Sequence, residues 1–366
     1  MLAKLRNLLA GAAAGVIALA PLAAAAETLI ISTGLGQPHA WVAYHMNPFA
    51  DAIERDSKGE ITLTRFYSGE LTSAGRELDG LTSGTIDIAA PLLAPYHEGR
   101  FPLSDVTQLP VYGTNSPMVT KAFQKLLDSD VKLSNGKTFY EYEIGDKGIR
   151  AWALGATAPY SISTVSKVLK EPEDFKGVPL RAGAALHTIV LEKLGATPVT
   201  LPGPQAYEAL SRGTIEGVII AISDWPSYSI DQLLRHSITD VSIGHWESYL
   251  AVSNDAWDRL TDEQKKLFDE TARRIALENA KAWEDNVEVV KKKSTAEHGG
   301  QFTPISQLSK AMQDHIAKAS AETWRAWIEK TEAAGHPARD TAKLYAQFIV
   351  EQGGKLPEGV AEYLGL

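Results

Sequence analysis

From residue 27 to residue 89, apolar runs of strand length alternate with helix-like stretches. That order predicts a parallel sheet with helices packed on its faces. Residues 27–33 form the first run, residues 61–66 alternate as the second, and residues 85–89 make the third. Between them, Phe49, Ile53 and Arg55 mark one helix, with Pro48 at its start or at a kink, and residues 73–81 mark a shorter one. A second series begins near Ile149, with strands expected at 148–152, 160–163, 178–180 and 197–200 and a helix at 184–193. Asp255 and Thr261 are expected to cap helices, the second running from Asp262 towards Lys293 and long enough to span two lobes. Residues 307–366 read as mostly helical, with caps at Ser306 and Asp340.

One short echo suggests a duplicated plan. Residues 81–87, Leu-Thr-Ser-Gly-Thr-Ile-Asp, are similar to residues 210–216, Leu-Ser-Arg-Gly-Thr-Ile-Glu. Both read as a last helical turn, a glycine cap and a strand carrying a carboxylate. Coincidence between two common helix-to-strand turns is the plainer alternative. Asp87 and Glu216 sit at strand starts, the wrong end for a cleft, and are read as structural.

Residues 1–26 have the layout of a secretory signal peptide: Lys4 and Arg6, an apolar run from Leu8 to Leu22, then Ala24, Ala25 and Ala26. Removing that leader, which carries two basic and no acidic residues, takes the formal charge from −9 to −11. So acidic a chain argues against nucleic acid and anionic membrane surfaces as partners. The sequence has no cysteine, which excludes disulfides, thiolate metal sites and cysteine nucleophiles. No Walker loop, His-Glu-x-x-His or Gly-x-Ser-x-Gly is found, the Gly34-x-Gly36 start of a dinucleotide fingerprint fails at His39, and no cofactor or metal is expected.

Arg181 ends the run Gly177-Val-Pro-Leu-Arg181, just ahead of a helix-like segment. A guanidinium fixed at the mouth of a strand is suited to holding a carboxylate through two parallel hydrogen bonds. The segments Phe66-Tyr-Ser-Gly-Glu-Leu71, Gly84-Thr-Ile-Asp-Ile-Ala89, Pro172-Glu-Asp-Phe-Lys-Gly177 with Leu180-Arg181, and Val252-Ser-Asn-Asp-Ala-Trp257 follow in this order. Together they resemble the DctP-type solute-binding proteins of tripartite ATP-independent periplasmic (TRAP) transporters, over nearly all of residues 28–300.

The resemblance implies an α/β, two-lobed periplasmic binding protein fold of a type II-like kind. Each lobe would be a mixed sheet flanked by helices, with a long inter-lobe helix and a helical C-terminal region. The first lobe is expected from residues 27–152 and about 242–285, the second from 153–241 and about 286–366. It further implies a periplasmic, non-enzymatic, monomeric receptor that delivers its ligand to a TRAP membrane permease, with Arg181 as the carboxylate anchor. Three departures matter. The stretch 154–163 lacks a second arginine, Gln205 stands where an acid is usual, and no asparagine follows the strand before Trp225. They point away from a dicarboxylate and towards a small monocarboxylate.

Ligands of open α/β sheets bind beyond the carboxyl ends of strands. Candidate ligand contacts are therefore Gln37, His39 and Trp41 after the first strand, Glu70 after the second, and Pro91 and Tyr96 at the third. Tyr160, and Asp224, Trp225 and Tyr228 after the strand at 214–222, complete the set. Inter-lobe packing for Trp225 and a solvent-exposed loop for His39 are the plain alternatives. A secreted lyase or isomerase in the same cleft, or a sensor docking on a receptor, are the competing functions. The first needs an acid–base pair that the sequence does not display.

Overall fold

The first apolar runs pair as expected: β1 (Glu27–Ser32) lies parallel to both β2 (Ile61–Phe66) and β3 (Ile88–Leu92). Leu29 and Ile31 of β1 are fully buried. The computed structural model describes residues 26–241 and 243–366, so the leader reading, Ala26 apart, lies outside the described residues. Strand β3 starts later than expected because Thr85 and Ile86 still belong to the helix terminus, both donating to the Gly80 carbonyl (3.0 and 3.2 Å).

Strands β4 (Ile149–Ala153), β5 (Tyr160–Thr164), β6 (Pro179–Ala182), β7 (Thr197–Thr200), β8 (Gly217–Ala221), β9 (His236–Thr239), β10 (Tyr249–Ser253) and β11 (Gln301–Pro304) complete two mixed sheets. Their orders are β2-β1-β3-β10-β4 and β11-β9-β5-β8-β6-β7. Each sheet has one strand running against both neighbours: β10 against β3 and β4, and β5 against β8 and β9. These are the strands that the chain enters by its two direct crossings, at 154–159 and 240–248, while the third crossing reaches β11 through the helix Asp262–His298. The parallel strands turn their carboxyl ends to the cleft, so a chain arriving from the other lobe enters at that edge and runs the opposite way.

The echo falls at matching places, just ahead of β3 and β8. Gly84 and Gly213 both have positive φ (74° and 69°). The Asp87 carboxylate accepts from the Ile30 N–H (2.7 Å), and Glu216 accepts from the Ser166 and Lys167 N–H groups (2.7 and 2.6 Å). Each carboxylate ties its strand start to a neighbouring segment.

The crossovers 154–159 and 240–248 are bonded to one another. The N–H groups of Leu154, Thr157 and Tyr160 donate to the carbonyls of Ser248, Trp246 and Gly244 (3.0, 2.9 and 3.0 Å). Buried Glu247 gathers the Leu154, Gly155 and Ser248 N–H groups on one oxygen (3.1, 2.9 and 3.0 Å). At Gly244 φ is +72°, and an added Cβ would lie 2.1 Å from the Gln108 carbonyl oxygen. Gly244→Ala is therefore expected to cost about 2–4 kcal/mol, combining backbone strain with a clash that no side-chain motion relieves. Urea unfolding measures it, and a loss below 1 kcal/mol on the order of surface substitutions would show that the hinge yields freely.

The long helix Asp262–His298 starts at a capping box, in which Thr261 and Gln264 satisfy each other's backbone N–H. It packs on helices Asn47–Asp56 and Ser116–Leu127 of the first lobe and on the turn Ile222–Tyr228 of the second. Helix Lys310–Ala333 packs on Ala185–Leu194 in the second lobe, while Ala338–Glu351 packs on Ser116–Leu127 in the first. Ala338–Glu351 also packs on Lys310–Ala333. Ser253 and Ser309 cap their helices in place of Asp255 and Ser306. Asp340 sits inside the first turn of Ala338–Glu351 and accepts from the Ser134 N–H (2.7 Å).

Candidate functional site

Between the lobes lies a cavity of about 70 Å³. One water occupies ~10–15 Å³ on this scale, so the space suits a compact molecule. Leu35 and Trp41 reach it from beyond β1, Tyr96 from beyond β3, and Asp224 and Tyr228 from beyond β8. Tyr160 enters at the start of β5 and Arg181 near the end of β6.

Arg181 is buried, with only 3% exposure. Its Nε–H donates to the Leu201 carbonyl (3.0 Å), which fixes the guanidinium plane. The Tyr96 phenol stands close to both the guanidinium and the Gly203 N–H. Burial raises the Tyr96 pKa, with the Arg181 charge pulling the other way. Residue 183 must be glycine for this geometry, since a Cβ there would stand 2.8 to 3.1 Å from the guanidinium. A fixed, water-shielded fork beside an aromatic wall is suited to one carboxylate.

His39 links the two lobes. The Trp41 N–H donates to its Nδ1 (3.2 Å), so Nε2 carries the proton and donates to the Tyr228 hydroxyl (3.0 Å). Burial holds the imidazole neutral, its pKa pushed down to about 3. The Tyr228 oxygen thus accepts from His39, and its own O–H is left to donate into the cavity. The Ala40 N–H adds a longer contact to the Ser227 hydroxyl (3.4 Å). Asp224 is 5% exposed, and burial pushes its pKa up to about 7 against the pull of the Ser227 hydroxyl and Arg181. Tyr228→Phe removes the His39 bond across the cleft, worth about 1 kcal/mol. A several-fold faster ligand off-rate is expected in stopped flow, and an unchanged rate would remove this bond from the closure mechanism.

Of the sequence candidates, Arg181, Trp41, Tyr96, Tyr160, Asp224 and Tyr228 meet at the cavity, with His39 directly behind Tyr228. Four do not line it. Trp225 turns under the second lobe and stacks on Phe302 (centroids 5.8 Å apart), because successive side chains of the tight turn Ile222–Tyr228 leave on different sides. Pro91 is still inside buried β3, so the loop beyond it supplies Tyr96 instead. Gln37 and Glu70 are exposed, since Ser68 and Gly69 N–H groups bond the Leu35 and Thr33 carbonyls (2.8 and 3.1 Å) and close these loops on each other.

Sequence reasoning missed Pro202 and Pro204, although both follow β7 at its carboxyl end, and it read Trp246 as core or hinge. It also passed over His187. That fully buried ring stands 5.0 Å from the Tyr160 ring with both nitrogens unpartnered, and burial with the Arg181 charge pushes its pKa down to about 3.

The sequence model for bacterial extracellular solute-binding proteins, family 7 (DctP), matches residues 32–331. The chain belongs to this family. A solute-binding protein of Albidiferax ferrireducens is 22% identical over 293 residues, 78% of this chain and 80% of its own length. The solved TRAP solute-binding protein of Rhodoferax ferrireducens, in complex with copurified benzoate, superposes with a TM-score of 0.77 at 20% identity. That match covers 89% of this chain and 98% of the other. A marine metagenome TRAP protein specific for aromatic acid ligands, with 3-hydroxybenzoate, gives 0.77 at 24% identity, covering 90% and 99%. Both share the two-lobed fold with this DctP-family chain.

Proposed function

We propose that this DctP-family protein is a periplasmic receptor that captures a small organic monocarboxylate between its lobes and hands it to the permease of a TRAP transporter. The observation that carries this reading is Arg181: a buried guanidinium, braced on the Leu201 carbonyl, opening on an enclosed aromatic cavity. A carboxylate there gains two charge-assisted hydrogen bonds away from water, while Trp41, Tyr96 and Tyr160 cover its apolar part. Benzoate and 3-hydroxybenzoate in the two structural neighbours are ligands of that kind. The mechanism is capture by closure: the ligand touches both lobes only when they meet, so its binding stabilises the closed form that the permease would receive. Among the described residues no helix is long and apolar enough to cross a membrane.

A thermal-shift panel of the leaderless protein tests this. A small monocarboxylate at 100 times its dissociation constant should add about 2.7 kcal/mol of stability. Shifts confined to neutral sugars or cationic compounds would overturn the reading.

A further inference from the structure

The Arg181 fork accounts for one end of the ligand, and a second group in the same cavity is chemically unfinished. Asp224 lines the cavity next to the arginine, and its Oδ1 is buried with no hydrogen-bond partner. The nearest donor does not serve it. His39 Nε2 is 3.7 Å away, and its single proton is committed to the Tyr228 hydroxyl at 3.0 Å. The Ser227 hydroxyl is near enough to pull the Asp224 pKa down, yet Oδ1 has no hydrogen-bond partner. Glu77 and Glu247 also keep one buried carboxylate oxygen unpartnered, but neither lines the cavity, whereas Asp224 does. A bare acceptor in a dry site is costly unless a bound molecule completes it.

We propose that Asp224 Oδ1 accepts a hydrogen bond from an O–H or N–H group on the bound acid, so that the site selects hydroxylated or N–H-bearing monocarboxylates over acids without a donor. The proposal rests on the reading of Arg181 as the carboxylate anchor. With the carboxylate held at Arg181 and Asp224 ionised, a keto or ether oxygen on the ligand would set oxygen against the Asp224 oxygen, whereas a hydroxyl turns that repulsion into a bond. An acceptor fixed in a buried site is also the kind of group that discriminates strongly, because the wrong ligand leaves it unpaired.

Calorimetric titration of the leaderless protein at pH 8.5, where Asp224 is ionised, against three matched pairs tests it: lactate with pyruvate, mandelate with benzoylformate, and 3-hydroxybenzoate with benzoate. The hydroxylated member of each pair that binds is expected to win by roughly tenfold to a hundredfold. Asp224→Leu should abolish that preference, and Asp224→Asn should narrow it. The wild-type preference decides the question even if a variant does not fold. Equal binding within the pairs, or preference for the keto acid, overturns the proposal and leaves the anchor reading intact if Arg181→Ala still abolishes binding. Binding that vanishes in EDTA and returns with calcium also overturns it, since Asp224 would then act through a cation. If the wild type binds none of the six acids, the anchor reading fails and this proposal falls with it.

Discussion

Arg181→Ala is expected to weaken binding of the best monocarboxylate by on the order of 10²–10³-fold or more. The substitution strands the ligand's carboxylate in a closed, largely dry cavity, and breaking a buried pair from one side costs about 3–5 kcal/mol. Arg181→Lys should recover only part of the loss. An ammonium supplies charge but not the planar pair of donors, and it cannot keep the brace that Nε makes to the Leu201 carbonyl. The unliganded fold should survive, because β6 is held by its backbone pairing to β7 and β8. Calorimetry on the alanine and lysine variants, with urea unfolding of each as the control, reads both effects. Affinity unchanged in the alanine variant would remove Arg181 from the site.

Much of this site was legible because strand ends are legible. Arg181, Tyr96, Asp224 and Tyr228 follow or close short apolar runs, and the carboxyl ends of those runs converge on the cavity. What could not be read was the direction in which a side chain leaves a tight turn. Asp224 and Trp225 are adjacent in sequence, yet one faces the cavity and the other packs on Phe302. Gln37 and Glu70 failed for a related reason, since two loops bonded to each other present their polar residues outward. Pro202 and Pro204 were recoverable by the same strand-end rule applied to β7. His187 was not: it sits inside a helix, where nothing in the local pattern separates a site wall from a core. The antiparallel β5 and β10 also escaped the sequence, because their direction follows from the chain's crossings between lobes and from no local signal.

Stability is expected to peak near pH 5–6 and to fall by about 3 kcal/mol between pH 6 and 8, a loss of roughly one net proton over two pH units. Burial pushes Asp105, Glu143 and Asp224 up to about 7 and Glu247 up to about 8. It pushes His39, His45 and His187 down to about 3 and His245 to about 4. The carboxyls, raised above their unfolded values, favour the fold fully below ordinary carboxylate pKa and lose that contribution as pH climbs to 7–8. The histidines, lowered below theirs, favour it above about 6.5 and lose it as pH falls from there. The two sets offset each other between roughly pH 4 and 6.5, and only the carboxyls act above that window. Urea unfolding of the ligand-free protein at pH 5, 6, 7 and 8 checks the sign, and stability that rises from pH 6 to 8 would mean that water reaches these carboxyls in the fold. Glu247→Gln isolates the hinge's share. The amide oxygen still accepts from the Leu154, Gly155 and Ser248 N–H groups, but the site no longer titrates. Its decline from pH 6 to 8 should be shallower by about 2 kcal/mol.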